Sequence, residues 1–310
     1  MQQPAAAQTK SPVCGVGNLI AGGAGKTPTA VAIARIARNM GLRPGFLSRG
    51  YGGNTTEPTL VNIKSHNAGD VGDEPLILAL YADTVVSADR PAGAELLEQQ
   101  GVDLVIMDDG FQNPSLKKDF SLVVVDAGRG IGNGFCIPAG PLRAPLQNQL
   151  SRADAVLLIG QSAAGMEVVR KCARAAKPVF ASTIQARKPE EWLDVDVLAY
   201  SGIAVPQKFF DSLSDVGANV VETQSFPDHH PFTGDECREL MALAAKKQLV
   251  LATTEKDAAR LVRAGPEQQL LRKASRTLYV DLQFDNPRLI EMAIQDAIDA
   301  ASARRLKTRT

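Results

Sequence analysis

The run Gly22-Gly23-Ala24-Gly25-Lys26-Thr27 carries the clearest chemistry in this 310-residue chain. Glycines in such a run let backbone N–H groups close around phosphate oxygens, and a helix opening behind them adds partial positive charge. In a loop of this kind Lys26 reaches the β- and γ-phosphates of a nucleotide and the Thr27 hydroxyl holds Mg2+. The standard loop has a glycine six residues before the lysine, where this chain has Ile20. Gly17, Gly22 and Gly23 must then shape the turn. A chance Lys-Thr after a glycine-rich turn is the plainer alternative; an apolar run before it and a helical period behind it favour the phosphate loop. A second signal is Leu104-Val-Ile-Met-Asp108-Asp109-Gly110. An apolar strand ending in aspartate is the Walker B arrangement, which sets a carboxylate beside Mg2+. Many strands end in an Asp-Gly turn, so the run gains its meaning from the phosphate loop that precedes it. Asp109 and Asp108 are both candidate metal ligands.

Positioning these groups requires buried strands that deliver loops to one edge. Short apolar runs at 13–16, 45–47, 84–86, 104–107, 122–125 and 156–159 read as such strands, with helical periods at 26–40, 74–81 and 91–100 between them. Fully apolar strands alternating with helices predict an α/β fold, a parallel sheet covered on both faces. The polar stretch 185–192 reads as a linker to a second set, with strands near 197–200, 219–221, 250–252 and 278–280 and a closing amphipathic helix over 286–305. The expected division is 1–185, carrying the nucleotide and catalytic site, and 186–310, a smaller α/β domain that closes over the cleft and includes the C-terminal helix.

Composition narrows the classes further. Lys plus Arg and Asp plus Glu balance at 34 each, which gives no basic excess and predicts no nucleic-acid partner. Cys14, Cys136, Cys172 and Cys237 lie far apart, without the spacing of a zinc site or a disulfide framework, as expected in a reducing cytoplasm. The first ten residues hold no apolar segment of the secretory kind, and no run approaches the roughly 20 residues of a membrane span. The expectation is a soluble or peripheral protein.

Two motifs make a P-loop NTPase; other blocks narrow the activity. Val16-Gly-Asn-Leu-Ile-Ala-Gly-Gly-Ala-Gly-Lys-Thr-Pro28 resembles the opening motif of the tetraacyldisaccharide 4'-kinases. The resemblance continues in order through Leu47-Ser-Arg-Gly-Tyr-Gly-Gly53, Val71-Gly-Asp-Glu-Pro75, Met107-Asp-Asp-Gly-Phe-Gln112, Gly132-Asn-Gly134, Pro138-Ala-Gly-Pro-Leu-Arg143, Phe226-Pro-Asp-His-His230 and Thr254-Glu-Lys-Asp257. It implies an enzyme that uses ATP and Mg2+ to phosphorylate the 4'-hydroxyl of tetraacyldisaccharide 1-phosphate, forming lipid IVA in lipid A biosynthesis. It implies too a monomer working peripherally at the cytoplasmic face of the bacterial inner membrane.

By the same resemblance Asp73 is the base that takes the hydroxyl proton, and His229 is its partner. A His–Asp pair orients both members and supports charge changes on the carboxylate, and this one would make catalysis depend on lobe closure. From the residues alone Asp73 reads better as a helix cap before Glu74-Pro75, a reading the motif context reverses, and His229 reads equally as a packed loop histidine beside His230. Arg143 is implied to contact the ATP phosphates, which its planar fork suits, and Gln112 to lie near the metal and phosphates. Arg90 falls where the family places an arginine important for activity, on the substrate side with Glu74; a surface ion pair with Asp89 is the alternative. Arg49 and Tyr51 either help shape the site or sit in a tight turn marked by Gly50, Gly52 and Gly53. The resemblance alone favours Asp109 over Asp108 as the residue nearer the metal.

Three departures stand out. Asn113 replaces a histidine common in the family and cannot carry a proton. Ala144 replaces an acidic residue. The chain also reaches its phosphate loop without the apolar N-terminal segment that commonly precedes it in the family, so either the start lies upstream or membrane contact falls to other surface such as Phe135-Cys-Ile-Pro138. Two other classes are weighed: a P-loop ATPase switch, which needs no acceptor base, and a phosphate-activating ligase, which would ignore a lipid disaccharide.

Overall fold

A computed structural model describes residues 6–23 and 25–307. Ala24 of the glycine-rich loop, the start of the polar N-terminal segment and the outer ends of the two expected domains lie outside the described residues. Eight strands come first: β1 (Val13–Asn18), β2 (Pro44–Ser48), β3 (Thr59–Leu60), β4 (Thr84–Val86), β5 (Leu104–Met107), β6 (Phe120–Asp126), β7 (Ala155–Ile159) and β8 (Val179–Ala186). Five follow: β9 (Asp196–Ser201), β10 (Asn219–Ser225), β11 (Val250–Thr254), β12 (Ser275–Leu278) and β13 (Val280–Phe284). Every residue of β1, β2 and β5 is buried, which is why these strands read as unbroken apolar runs rather than alternating ones.

The larger sheet has the order β13-β8-β7-β6-β1-β5-β2-β4-β3. Its interior pairs are parallel, and only the edge strands β3 and β13 run antiparallel to their neighbours. The smaller sheet, β10-β9-β11-β12, is parallel throughout. One face of the large sheet is covered by the helices Lys26–Asn39 and Pro287–Lys307, whose Ile33, Ala37, Ile290 and Ile294 join Val16, Ile106 and Leu122 in one core. Two further clusters, with Val123, Val125 and Val168 in one and Val85, Leu97 and Val105 in the other, complete its core.

Two expectations change here. The segment expected as a linker starts inside a strand, since β8 runs to Ala186, and ends in a short 3-10 turn, Pro189–Trp192. Its Trp192, 2% exposed, sits in the core of the smaller sheet under the Arg276 guanidinium, 5.4 Å from the ring centroid. The single strand expected near 278–280 is two, broken at Tyr279, and they belong to different sheets. β13 returns to pair with β8, Val280 opposite Ala186, and its Leu282 and Phe284 bury in the large core. Grouping the C-terminal helix with the smaller unit is therefore corrected: 280–307 complete the large sheet and its cover, and the smaller unit is an insertion.

Candidate active site

Parallel strands discharge their loops at their carboxyl ends, where open α/β sheets hold ligands. β1 leads into the glycine-rich loop and then the helix Lys26–Asn39, whose N-cap Gly25 lies at φ 83°. A side chain there would meet both the left-handed backbone and Ile159 Cδ1, 2.5 Å from an added Cβ. The anomalous Ile20 is explained by packing. It is buried and bridges Leu142, while Ala21 N–H donates to the Pro141 carbonyl at 2.9 Å and Arg143 N–H to the Leu19 carbonyl at 2.9 Å. The 138–143 segment thus braces the loop from below, where the usual glycine would leave a gap. Asn18 Nδ2 donates to the Gly22 carbonyl at 2.8 Å, and the Arg129 guanidinium crosses the loop to within 3.4 Å of the Gly23 carbonyl.

β5 lies beside β1, Gly15 opposite Met107, so the two aspartates after it face the phosphate loop. Asp109, at φ 48°, receives both arms of Arg143 at 3.2 Å and has Lys26 Nζ 3.9 Å away. Gln112 accepts from Arg143 at 3.3 Å and donates to the Asn18 carbonyl at 2.8 Å, which ties the arginine to the end of β1. Asp108 differs. It is 4% exposed, burial pushes its carboxyl above the usual range, and its Oδ1 is buried with no hydrogen-bond partner. An orphaned buried carboxylate oxygen lining the same cavity as Thr27 and the phosphate loop is what a divalent cation satisfies. Thr27, Asp108 and Asp109 therefore form a donor set suited to Mg2+.

Asp73 opens the helix Asp73–Leu78, but Gly72 occupies the cap position. The Asp73 carboxylate is 3% exposed and reaches across to the smaller unit. His229 Nδ1 lies 3.2 Å from Asp73 Oδ2, and Arg260 Nε donates to the same oxygen at 2.8 Å. Burial alone would raise the Asp73 carboxyl, yet hydrogen bonds from His229 and Glu74 and the charges of Arg260 and Lys256 hold it well below the usual range. Glu74 goes the other way: burial and the neighbouring Asp73 push it up to about 7 although Lys256 Nζ sits 2.6 Å away. The Asp73 hydrogen bond raises His229. Asp73, Glu74 and His229 bring ligand atoms within 4.8 Å of one another, but Arg260 and Lys256 already neutralise the two carboxylates, which disfavours a cation there.

Arg90 is not a surface residue. It is 3% exposed, donates to the Ser87 carbonyl and has its Nε buried without a partner, while Asp89 instead caps its helix by accepting from Ala92 N–H at 3.1 Å. Tyr51 packs edge-on to His229, ring centroids 5.5 Å apart. His230 belongs elsewhere: it bonds Glu236 at 2.8 Å and stacks on Phe226. Asn113 accepts from Ser115 N–H at 2.9 Å and makes a turn, and the Ala144 carbonyl accepts from Gln149 at 2.7 Å. Phe135 and Ile137 are exposed, Ile137 forming a cis bond to Pro138.

One cavity of about 1330 Å3 is lined by Lys26, Thr27, Glu74, Arg90, Asp108, Asp109, Gln112, Arg143 and His229. It runs from the phosphate loop to the seam between the sheets, with room for a nucleotide and a sugar-sized acceptor. Such a site can hold a polyphosphate, neutralise charge developing on it, and offer a base to a hydroxyl. Sequence reasoning did not single out Arg260, Lys256 or Arg129; Lys256 lies within the Thr254-Glu-Lys-Asp257 block, and Arg260 three residues beyond it carried no signal.

The tetraacyldisaccharide-1-P 4'-kinase (LpxK) family model matches residues 2–299. A tetraacyldisaccharide 4'-kinase of Rhizobium meliloti strain 1021 is 47% identical over 309 residues, covering 100% of this chain and 89% of that one. The protein of the same name from Agrobacterium fabrum is 47% identical over 296 residues, 96% of this chain and 85% of its own. Among solved structures, LpxK from Aquifex aeolicus in complex with ATP superposes with a TM-score of 0.71 at 24% identity, over 95% of this chain and 90% of that one, a likeness of fold.

Proposed function

The chain belongs to the tetraacyldisaccharide-1-P 4'-kinase family, and from that membership we propose how its own residues carry out the reaction. It is a kinase of lipid A biosynthesis that phosphorylates the 4'-hydroxyl of tetraacyldisaccharide 1-phosphate. The ATP held by the Aquifex aeolicus LpxK supports ATP as the donor. Thr27, Asp108 and Asp109 would hold Mg2+, which when bound neutralises charge on the phosphates. Gly22, Gly23 and Gly25 cradle the phosphates through their backbone, and Lys26 reaches the outer ones. Arg143, anchored by Gln112, trades its contact with Asp109 for the oxygens of the group in transfer. Asp73 accepts the hydroxyl proton and shares it with His229 across 3.2 Å. Glu74 and Arg90 face the sugar substrate from the cavity wall.

The observation that carries this reading is that a single cavity collects the phosphate loop, the paired aspartates, Arg143 and the Asp73-backed His229. Because His229 comes from the inserted unit and Asp73 from the large one, we read the insertion as the lobe that closes the cleft. One chain supplies every group, so a monomer suffices. No helix among the described residues is long and apolar enough to cross a membrane. A lipid substrate supports peripheral work at a membrane, which we read as the cytoplasmic face of the inner membrane.

The test is phosphate transfer from labelled ATP to tetraacyldisaccharide 1-phosphate in mixed micelles, with Lys26→Ala as the blank. Lipid-dependent product that disappears in the blank is expected. ATP hydrolysis with no lipid product would overturn the kinase reading in favour of an ATPase switch.

A further inference from the structure

Arg260 ends the helix Glu255–Arg260, stands 187 residues from Asp73 in sequence and is 7% exposed. Its Nε donates to Asp73 Oδ2 at 2.8 Å, and its Nη2 lies 2.7 Å from the same oxygen. Nη1 turns the other way, to Asp257 Oδ1 at 2.7 Å and the Gly202 carbonyl at 2.6 Å. That carbonyl also accepts the His229 N–H at 3.1 Å. One guanidinium therefore touches the carboxylate supplied by the large sheet and the backbone that carries the imidazole from the inserted lobe.

The far side of the clamp is rigid. Asp257 is fully buried and accepts from Thr254 Oγ1 at 2.6 Å, Ser201 Oγ at 2.8 Å and Gly202 N–H at 3.0 Å. The loop it steadies holds His229 at φ 59°, a left-handed conformation that persists in a non-glycine residue only when its surroundings impose it. A lysine would keep the charge but not the fork, and could not grip both sides at once.

We propose that Arg260 is the positioning residue that assembles the Asp73–His229 pair across the lobe boundary, with Asp257 as its anchor. This rests on the reading of Asp73 as the base. The charged and titratable groups around Asp73 are His229 and, beyond it, Asp228 on the 226–230 loop; Glu74 on its own helix; and Lys256, Arg260 and Asp257 on the facing one. Without Arg260 a cation 2.7 Å from the base is gone, so its affinity for a proton rises.

The experiment is kcat, KM for the lipid and nucleotide affinity for Arg260→Gln, Arg260→Lys and Asp73→Asn, with binding of a fluorescent ATP analogue as the check on folding. Arg260→Gln should lower kcat about a hundredfold with nucleotide affinity and lipid KM within about twofold. Arg260→Lys should keep kcat at least about tenfold low, because the charge returns without the grip. Should the glutamine variant not fold, the lysine variant decides alone: a wild-type kcat overturns the proposal. A loss in Arg260→Gln that falls as heavily on nucleotide affinity as on kcat also overturns it and leaves a structural ion pair. Full activity in Asp73→Asn would sink the base assignment itself, whereas a dead Asp73→Asn beside a normal Arg260→Gln sinks only the clamp.

Discussion

A single added methyl at Gly53 would show whether the 50–53 turn merely closes a loop or sets the position of Asp73. An added Cβ there would lie 2.7 Å from the Asp70 carbonyl oxygen, 2.8 Å from the Val71 carbonyl carbon and 2.9 Å from the Gly72 nitrogen. All three are backbone atoms and none can swing aside. The same two segments are stitched together by Asn54 N–H to the Gly69 carbonyl at 3.0 Å and Thr55 N–H to the Asp70 carbonyl at 3.1 Å. Ordinary contact begins near 3.4 Å, so Gly53→Ala must part them by about 0.7 Å (3.4 less 2.7), three residues before Asp73. Overpacking of this kind costs about 1–3 kcal/mol, a fall in Tm of about 4–8 °C for 2 kcal/mol. If an ångström of misplacement costs about a hundredfold, 0.7 Å costs roughly 10- to 30-fold in kcat. The phosphate loop hangs from β1 and is not displaced, so ATP affinity should stay within about twofold. Thermal melts and lipid-dependent transfer at saturating ATP measure both. Wild-type kcat with an unchanged Tm would refute the reasoning and return the glycines to a plain turn; an equal loss of ATP affinity would mark general damage instead.

Arg143→Lys keeps the charge but loses the two-armed contact with Asp109, so kcat should fall about 10- to 100-fold with little change in Tm; near-normal turnover would contradict a role at the phosphates. Asp73 is lowered, so its contribution to stability is present above the ordinary carboxylate pKa and fades as pH falls through the folded value. His229 is raised, so its contribution is present below about pH 6.5 and fades as pH rises through the folded value. The Tm gap between wild type and His229→Gln should therefore be widest between about pH 4 and 6.5 and shrink above neutrality; a gap that widens above pH 7 would reverse the sign. Asp119→Asn weakens the part-buried contact of Asp119 with Arg304 on the C-terminal helix and should lower stability by about 1–3 kcal/mol in a denaturant titration.

Much of the large sheet was legible because its strands are buried on both faces and announce themselves as apolar runs: Leu104–Met107 was placed to the residue. The phosphate loop and the Asp108-Asp109 turn were legible because their chemistry lies in consecutive residues. What periodicity cannot report is which sheet a strand joins. The apolar residues on either side of Tyr279 look like one strand, and only the pairing of Val280 with Ala186 separates them. Pairing across sequence was hidden too. Lys256 meets Glu74 over 182 residues and Arg260 meets Asp73 over 187, contacts that carry no local pattern. For Arg90 it is the surface-pair alternative that fails: the aspartate of the Asp-Arg step is spent on capping and the arginine turns inward.

The return of β13 to the edge of β8 also has a consequence for how the chain is made. While the ribosome works through the insertion, β8 has no outer neighbour and offers a row of unpaired amide and carbonyl groups to any passing strand. The apolar flank of the helix Lys26–Asn39, with Ile33 and Ala37, waits uncovered for Ile290 and Ile294. At 5–20 residues per second that wait lasts on the order of ten seconds. A ribosome that stalls inside the insertion would release a nearly complete but adhesive sheet, so this protein's demand for chaperones during translation should concentrate in that interval.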